Sequence, residues 1–161
     1  MTSLAILPPP IEIATVIDSK PIQPIHYLKR IFALGLGLIL AVVLGIAVYL
    51  TPSKAGMGTH QQLGFPPCTM VSMFGMRCPS CGMTTSWTHT VRGQLISACK
   101  ANTGGMVLAI TAIIATPWLL LSGIMGRWIT SPPSEWIGLY YCLILLTIIV
   151  VDWVMRIWIF A

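Results

Sequence analysis

The sequence predicts an all-α integral membrane protein with three transmembrane helices and a short interfacial helical segment after a CPxCG turn. Three observations carry this. Of 161 residues, 56% are hydrophobic and only 8% are charged, against roughly a quarter charged in a soluble domain. The mean hydropathy of +0.86 comes from long uninterrupted apolar runs, not from an enriched soluble core. Three such runs are close to the length that crosses a hydrocarbon layer of about 30 Å. Helices are the only assignment, because a backbone amide in lipid needs a partner within its own element and three spans cannot close a barrel.

The first thirty residues read as an extended, Pro-containing arm. IEIATVID alternates apolar and polar residues, and Pro8 to Pro10, Pro21 and Pro24 restrict the backbone. No positive residue precedes Leu4 to Leu7, so the arm lacks the pattern of a cleaved secretory signal. The first span is the twenty-residue run 31–50. Within it Ala33, Gly37, Ala41 and Gly45 recur every four residues, a stripe of small side chains that lets another helix approach closely. The second span is 104–125, where Thr111, Thr116 and Ser122 can return hydrogen bonds to the backbone and Pro117 bends the helix. A loop over 126–135 leads to the third span, 136–158. Its apolar run of sixteen residues from Trp136 to Val151 is extended past Asp152 and Arg156, an i,i+4 pair beside Trp153 and Trp158.

Charge excludes one class of partner. The net charge is +5, but the nine Lys and Arg stand singly or in pairs, so no basic surface tracks a phosphate backbone and nucleic acid is not a partner. Anionic headgroups of the lipid bilayer account for the excess more simply. Lys20, Lys29 and Arg30 precede the first span and Lys54 alone follows it closely. This pattern puts the N-terminus in the cytoplasm and the following loop outside.

That loop, 51–103, has fifty-three residues, far more than the few that usually join helices, and it holds the chemistry. Four of the five cysteines are here, Cys68, Cys78, Cys81 and Cys99, with His60 and His89; Cys142 lies in the third span as a small apolar side chain. In CPSCG, Cys78 to Gly82, proline fixes one angle and glycine permits a turn that aims both sulfurs to one side. Three uses of this turn stay open. Two thiolates supply half of a tetrahedral zinc site, with Cys68 and His89 or Cys99 completing it. The same CxxC before a helix opening at Thr84 and Thr85 suits thiol redox chemistry, with Cys78 attacking and Cys81 resolving. The third use is a bare structural turn. After Met83 the apolar positions Trp87, Val91, Leu95 and Ala98 predict an interfacial helix, broken near Gly93 and resumed at Gln94. Met70, Met73 and Met76 could offer thioethers to Cu(I), though such a stripe is usually plain apolar surface. The four acids, Glu12, Asp18, Glu135 and Asp152, lie outside the loop, so no hydrolase or transferase constellation is visible.

Around CPSCGMTTSW the sequence resembles the domain of unknown function 2752 family, small bacterial membrane proteins with a CPxCGxT motif. The resemblance rests on Pro67, Cys68, the stretch Met70 to Met76, Cys78, Pro79, Cys81, Gly82, Thr84, Gly93 and Asn102, and covers about Phe65 to Met125. Two positions depart from it: Thr85 stands where many members have Arg, and Thr103 where many have Pro. The resemblance implies residence in the bacterial cytoplasmic (inner) membrane as a multi-pass protein, with the motif near the interface, and implies no reaction. Together these readings predict a non-enzymatic accessory subunit or partner-binding factor of a membrane complex. Its cysteine knuckle, built from Cys68, Cys78, Cys81 and His89, would sit at the membrane surface with Zn as the candidate metal. The alternative is a membrane thiol redox protein using the Cys78/Cys81 pair.

Overall fold

The computed structural model describes residues 25–160, with side chains through Trp158. The extended arm expected over 1–30 lies outside the described residues except for its last six. No strand occurs among the described residues. The chain is all-α: α1 (Tyr27–Tyr49), a 3₁₀ turn (Thr59–Leu63), α2 (Thr69–Phe74), α3 (Met83–Thr90), α4 (Leu95–Ala101), α5 (Thr103–Met125) and α6 (Glu135–Phe160). By length and composition α1, α5 and α6 are each able to cross a membrane.

The ends of the long helices differ from the hydropathy boundaries for a physical reason. Helix α1 begins at Tyr27, not at residue 31, so Arg30 falls in its first turn, where a cation opposes the helix dipole. Arg30 instead serves the next long helix. Its Nε donates to Gly123 O at 2.8 Å and its Nη2 to Ile124 O at 3.3 Å, closing the last turn of the antiparallel α5. The opposite end of α1 is closed the same way by Arg92, which reaches Ala47 O, Val48 O and Leu50 O at 3.2, 2.8 and 2.7 Å. Both are cations on the carbonyl ends of helices, where the unpaired acceptors and the negative dipole favour them.

Helices α1 and α5 form the main packed pair. Five of the buried positions of α5, Ala109, Ala112, Thr116, Leu119 and Gly123, follow the alternating three and four spacing of a helix-pair seam. Gly123 lets Leu34 close in and Gly37 receives Leu119 and Leu120. The stripe behaves unevenly: Ala33 and Gly37 are buried and Ala41 is half-buried, while Gly45 faces open space. A step of four residues turns about 400°, so each step drifts about 40° off the contact line. The contact continues from Gly37 through Leu40 and Leu44 to buried Ala47. Helix α6 packs mainly on α5, tied by Thr111 Oγ1 to Tyr141 OH at 2.8 Å. None of the most apolar 18 residues of α6 is buried.

The ends of α1 and α6 and the start of α5 converge on one side, where α2, α3 and α4 lie. Here the expected helix over the motif is present; Ala98 of its apolar positions is fully buried and Trp87 and Val91 are half-buried, but most of the buried residues carry hydroxyls. Thr85, Ser86, Thr88 and Thr90 are buried, whereas Leu95 is 49% exposed. Small hydroxyls let the short helices come close while satisfying their own polarity. Ser86 Oγ lies 2.9 Å from Ala98 O and 2.8 Å from Asn102 O, and Thr85 Oγ1 pairs with Thr59 Oγ1 at 2.8 Å.

Candidate functional site

Three thiols meet at this end. Cys68 stands at the start of α2, Cys78 and Cys81 on the turn before α3, and their sulfurs all lie within 4.8 Å of one another. Cys78 Sγ and Cys81 Sγ are 3.0 Å apart. All three are free thiols, Cys81 buried and the other two half-buried. The turn is held by Gly82, at φ +85°, against which Ala101 O and Gly56 O press so closely that a Cβ has no room. Glycine is required there on both counts.

The backbone of the motif is clamped from behind. Asn102 is fully buried. Its Oδ1 accepts from Gly105 N at 2.7 Å, capping α5, and its Nδ2 donates to Pro79 O at 3.1 Å and Cys81 O at 3.2 Å. Arg156 of α6, 7% exposed, donates from Nη1 to Cys81 O and Ala101 O, both at 3.0 Å. It also pairs with Asp152, whose other oxygen accepts from Thr103 Oγ1 at 2.8 Å. Trp153 Nε1 adds a hydrogen bond to Arg77 O at 2.8 Å. The Trp153 and Arg156 side chains thus donate to the carbonyls of the motif and its neighbours, and Asp152 holds the Arg156 guanidinium in place. The pair was legible in the sequence as an i,i+4 couple; its target was not, because the turn and α6 are more than seventy residues apart.

The thiols do not share one chemical state. The Val71 backbone amide at the start of α2, and then a hydrogen bond from Cys81, lower Cys68 to about 7. Burial first, and then hydrogen bonds to Cys78 and Cys68, push Cys81 up to about 12. A thiol that ionises readily therefore sits beside one held neutral, which a metal ion would deprotonate on binding.

A cavity of about 630 Å³ opens beside the cluster and is lined by all three cysteines together with Met57, His60 and Met83. His89 stands elsewhere, with Nδ1 2.7 Å from Gln94 Oε1 at the end of α3. Cys99 is exposed on α4 with Sγ 3.6 Å from Thr103 Oγ1, and Cys142 is exposed on α6. Of the methionines singled out by spacing, Met73 and Met76 are exposed, and Met70, Met73 and Met76 are all absent from this cavity wall. Sequence spacing missed Met57 and His60, which come from the other side of the loop through the 3₁₀ turn that Thr59 anchors.

No curated protein and no solved structure matches the chain. The segment that holds the cluster does match a family: residues 68–116, from Cys68 through α3 and α4 into α5, are similar to the family described as Protein of unknown function (DUF2752).

Proposed function

We propose that this chain is a multi-pass protein of a bacterial cytoplasmic membrane whose three-thiol cluster binds a thiophilic metal ion. The binding site is a rigid knuckle at the membrane surface. The observation that carries this reading is the convergence of Cys68, Cys78 and Cys81 within 4.8 Å. Sulfurs so placed match the first coordination sphere of a thiolate metal site. The clamp of Asn102 and Arg156 supports it, since ligands held by a satisfied backbone are oriented before the metal arrives. The role is that of an accessory subunit, with the lipid-facing sides of α1 and α6 open to other membrane helices. The N-terminus is inside and the cysteine face outside, as Lys29 and Arg30 at the start of α1 favour.

The test is metal loading of the purified protein in detergent. With Zn(II) supplied, the wild type is expected to bind one equivalent, and Cys78→Ser and Cys81→Ser to lose it while unfolding cooperatively. Equal metal in wild type and variants removes the reading. Labelling of exposed Cys99 by an impermeant maleimide on intact cells reports the orientation; protection from label reverses it.

A second reading is favoured by the 3.0 Å approach of Cys78 and Cys81. The pair would close to a disulfide, two thiols giving two electrons and two protons to a partner disulfide that is reduced to two thiols. Cys78 would attack the partner disulfide and Cys81 would resolve the mixed disulfide, with Cys68 near enough to exchange with either. A glutathione titration that leaves all three thiols reduced across the physiological range eliminates this reading.

A further inference from the structure

The cavity beside the cluster is lined by sulfur-bearing residues of two kinds. Besides the three cysteines, the residues Met57, Met83 and His60 line the same wall, and no Asp or Glu does. His60 already has Nε2 3.3 Å from Pro66 O. Zinc sites are built from thiolate, imidazole and carboxylate, in closed sets of four when structural. Thioethers add nothing to such a site, but they are ligands for Cu(I), which prefers soft donors. Three thiolates with thioethers beside them are therefore a better match to a soft monovalent cation than to a divalent one.

We infer that the site formed by Cys68, Cys78 and Cys81 takes Cu(I), with Met57 and Met83 as the residues that favour it over Zn(II). This deepens the metal reading above and rests on it. Binding displaces thiol protons to solvent and leaves the copper in the +1 state, so no electron acceptor is needed. The two methionines belong to different segments. Met57 precedes the 3₁₀ turn and Met83 opens α3, so neither is placed at the cavity by a local repeat.

The experiment uses the full chain in detergent, reduced and kept from air, with Cu(I) and Zn(II) each set in competition with a chromophoric chelator. The variant is Met57→Leu/Met83→Leu, which keeps size and apolarity and removes both thioethers. The expected result is tighter binding of Cu(I) than of Zn(II) by the wild type, and a loss of about tenfold or more in Cu(I) affinity in the variant with Zn(II) affinity unchanged. Equal loss for both metals assigns the methionines to packing and overturns the inference. An unchanged Cu(I) affinity overturns it as well. Zinc bound more tightly than Cu(I) by the wild type overturns the inference but leaves the metal reading standing, and failure to bind either metal removes both.

Discussion

Replacing Arg156 with methionine keeps most of the side chain's length and removes every donor. In the native chain this guanidinium, 7% exposed, serves Cys81 O and Ala101 O at 3.0 Å each and pairs with Asp152. Hydrogen bonds from a charged donor contribute about 1.5–3 kcal/mol each, and three of them taken at face value would exceed 4 kcal/mol. The full amount is not lost. Cys81 O keeps Asn102 Nδ2 at 3.2 Å and Asp152 keeps Thr103 Oγ1 at 2.8 Å. What remains is a half-buried carboxylate without its cation, which costs less than the roughly 3–5 kcal/mol of a fully buried one. Arg156→Met/Asp152→Leu removes that charge too and leaves Ala101 O as the main loss, at about 1–3 kcal/mol. Reversible unfolding in mixed micelles measures both variants, and maleimide labelling of Cys81 at low denaturant reports loosening of the turn. A single variant that costs less than about 1 kcal/mol, or a double variant no better than the single, refutes the assignment of Arg156 as the clamp.

Three further outcomes are expected. Asn102→Ala removes the cap of α5 and two bonds to the motif, so unfolding studies should show a loss of about 2–4 kcal/mol, above the roughly 1 kcal/mol of an ordinary cap. Of two matched substitutions in α1, Gly45→Ala enters open space and should be neutral or stabilising by up to about 1 kcal/mol, as alanine is in a helix. Gly37→Ala must displace Leu120, 2.9 Å from the new Cβ, and should melt lower; equal effects would mean that α1 does not pack on α5 at Gly37. Cys68 is lowered to about 7 and Cys81 raised to about 12, and the thiolate is the reactive form. In the metal-free protein, alkylation of Cys68 should therefore rise with pH through about 7 and level off above it, while Cys81 stays unreactive. Mass spectrometry of labelled peptides reads both, and a Cys68 profile with its midpoint above pH 8.5 rejects the local cause.

The spans were legible because lipid imposes one rule on every residue of a helix, and a run of apolar side chains states that rule without reference to the rest of the chain. The cluster was legible only in part. Cys78 and Cys81 declare themselves by spacing, and Cys68 was within reach as a nearby thiol. His89 was grouped with them because it follows the motif closely, but an α-helix beginning at Met83 carries it to the far end of α3, beside Gln94. Met57 and His60 precede the motif and arrive through a glycine turn and the contact of Thr59 with Thr85, a pairing of two hydroxyls that no periodicity signals. The helix after the motif was read from its apolar residues, whereas Thr85, Ser86, Thr88 and Thr90 make up most of what it buries. The 3.6-residue pattern identified a helix, and the small hydroxyls that pack it were not signalled by that pattern, because close approach between short helices is set by size before polarity.

The matched segment ends at residue 116, yet the groups that hold its motif come largely from outside it. Asn102 lies within the segment and binds two of its carbonyls; Asp152, Trp153 and Arg156 lie on α6, far beyond its end. An ionic pair in a helix this apolar is expensive unless it is matched and turned inward. Here the match is threefold: guanidinium to carboxylate, carboxylate to Thr103, guanidinium to Cys81 O and Ala101 O. The cost of placing the pair in α6 and the need of the cysteine turn for a donor are met by the same contacts. It follows that the segment 68–116 expressed without α6 should lose the arrangement of its thiols even where its short helices persist. Adding back a chain that ends before Asp152 should not restore it, and adding back all of α6 should. Restoration by the shorter chain would show that lipid-facing packing on α5, and not the charged clamp, is what sets the three sulfurs together.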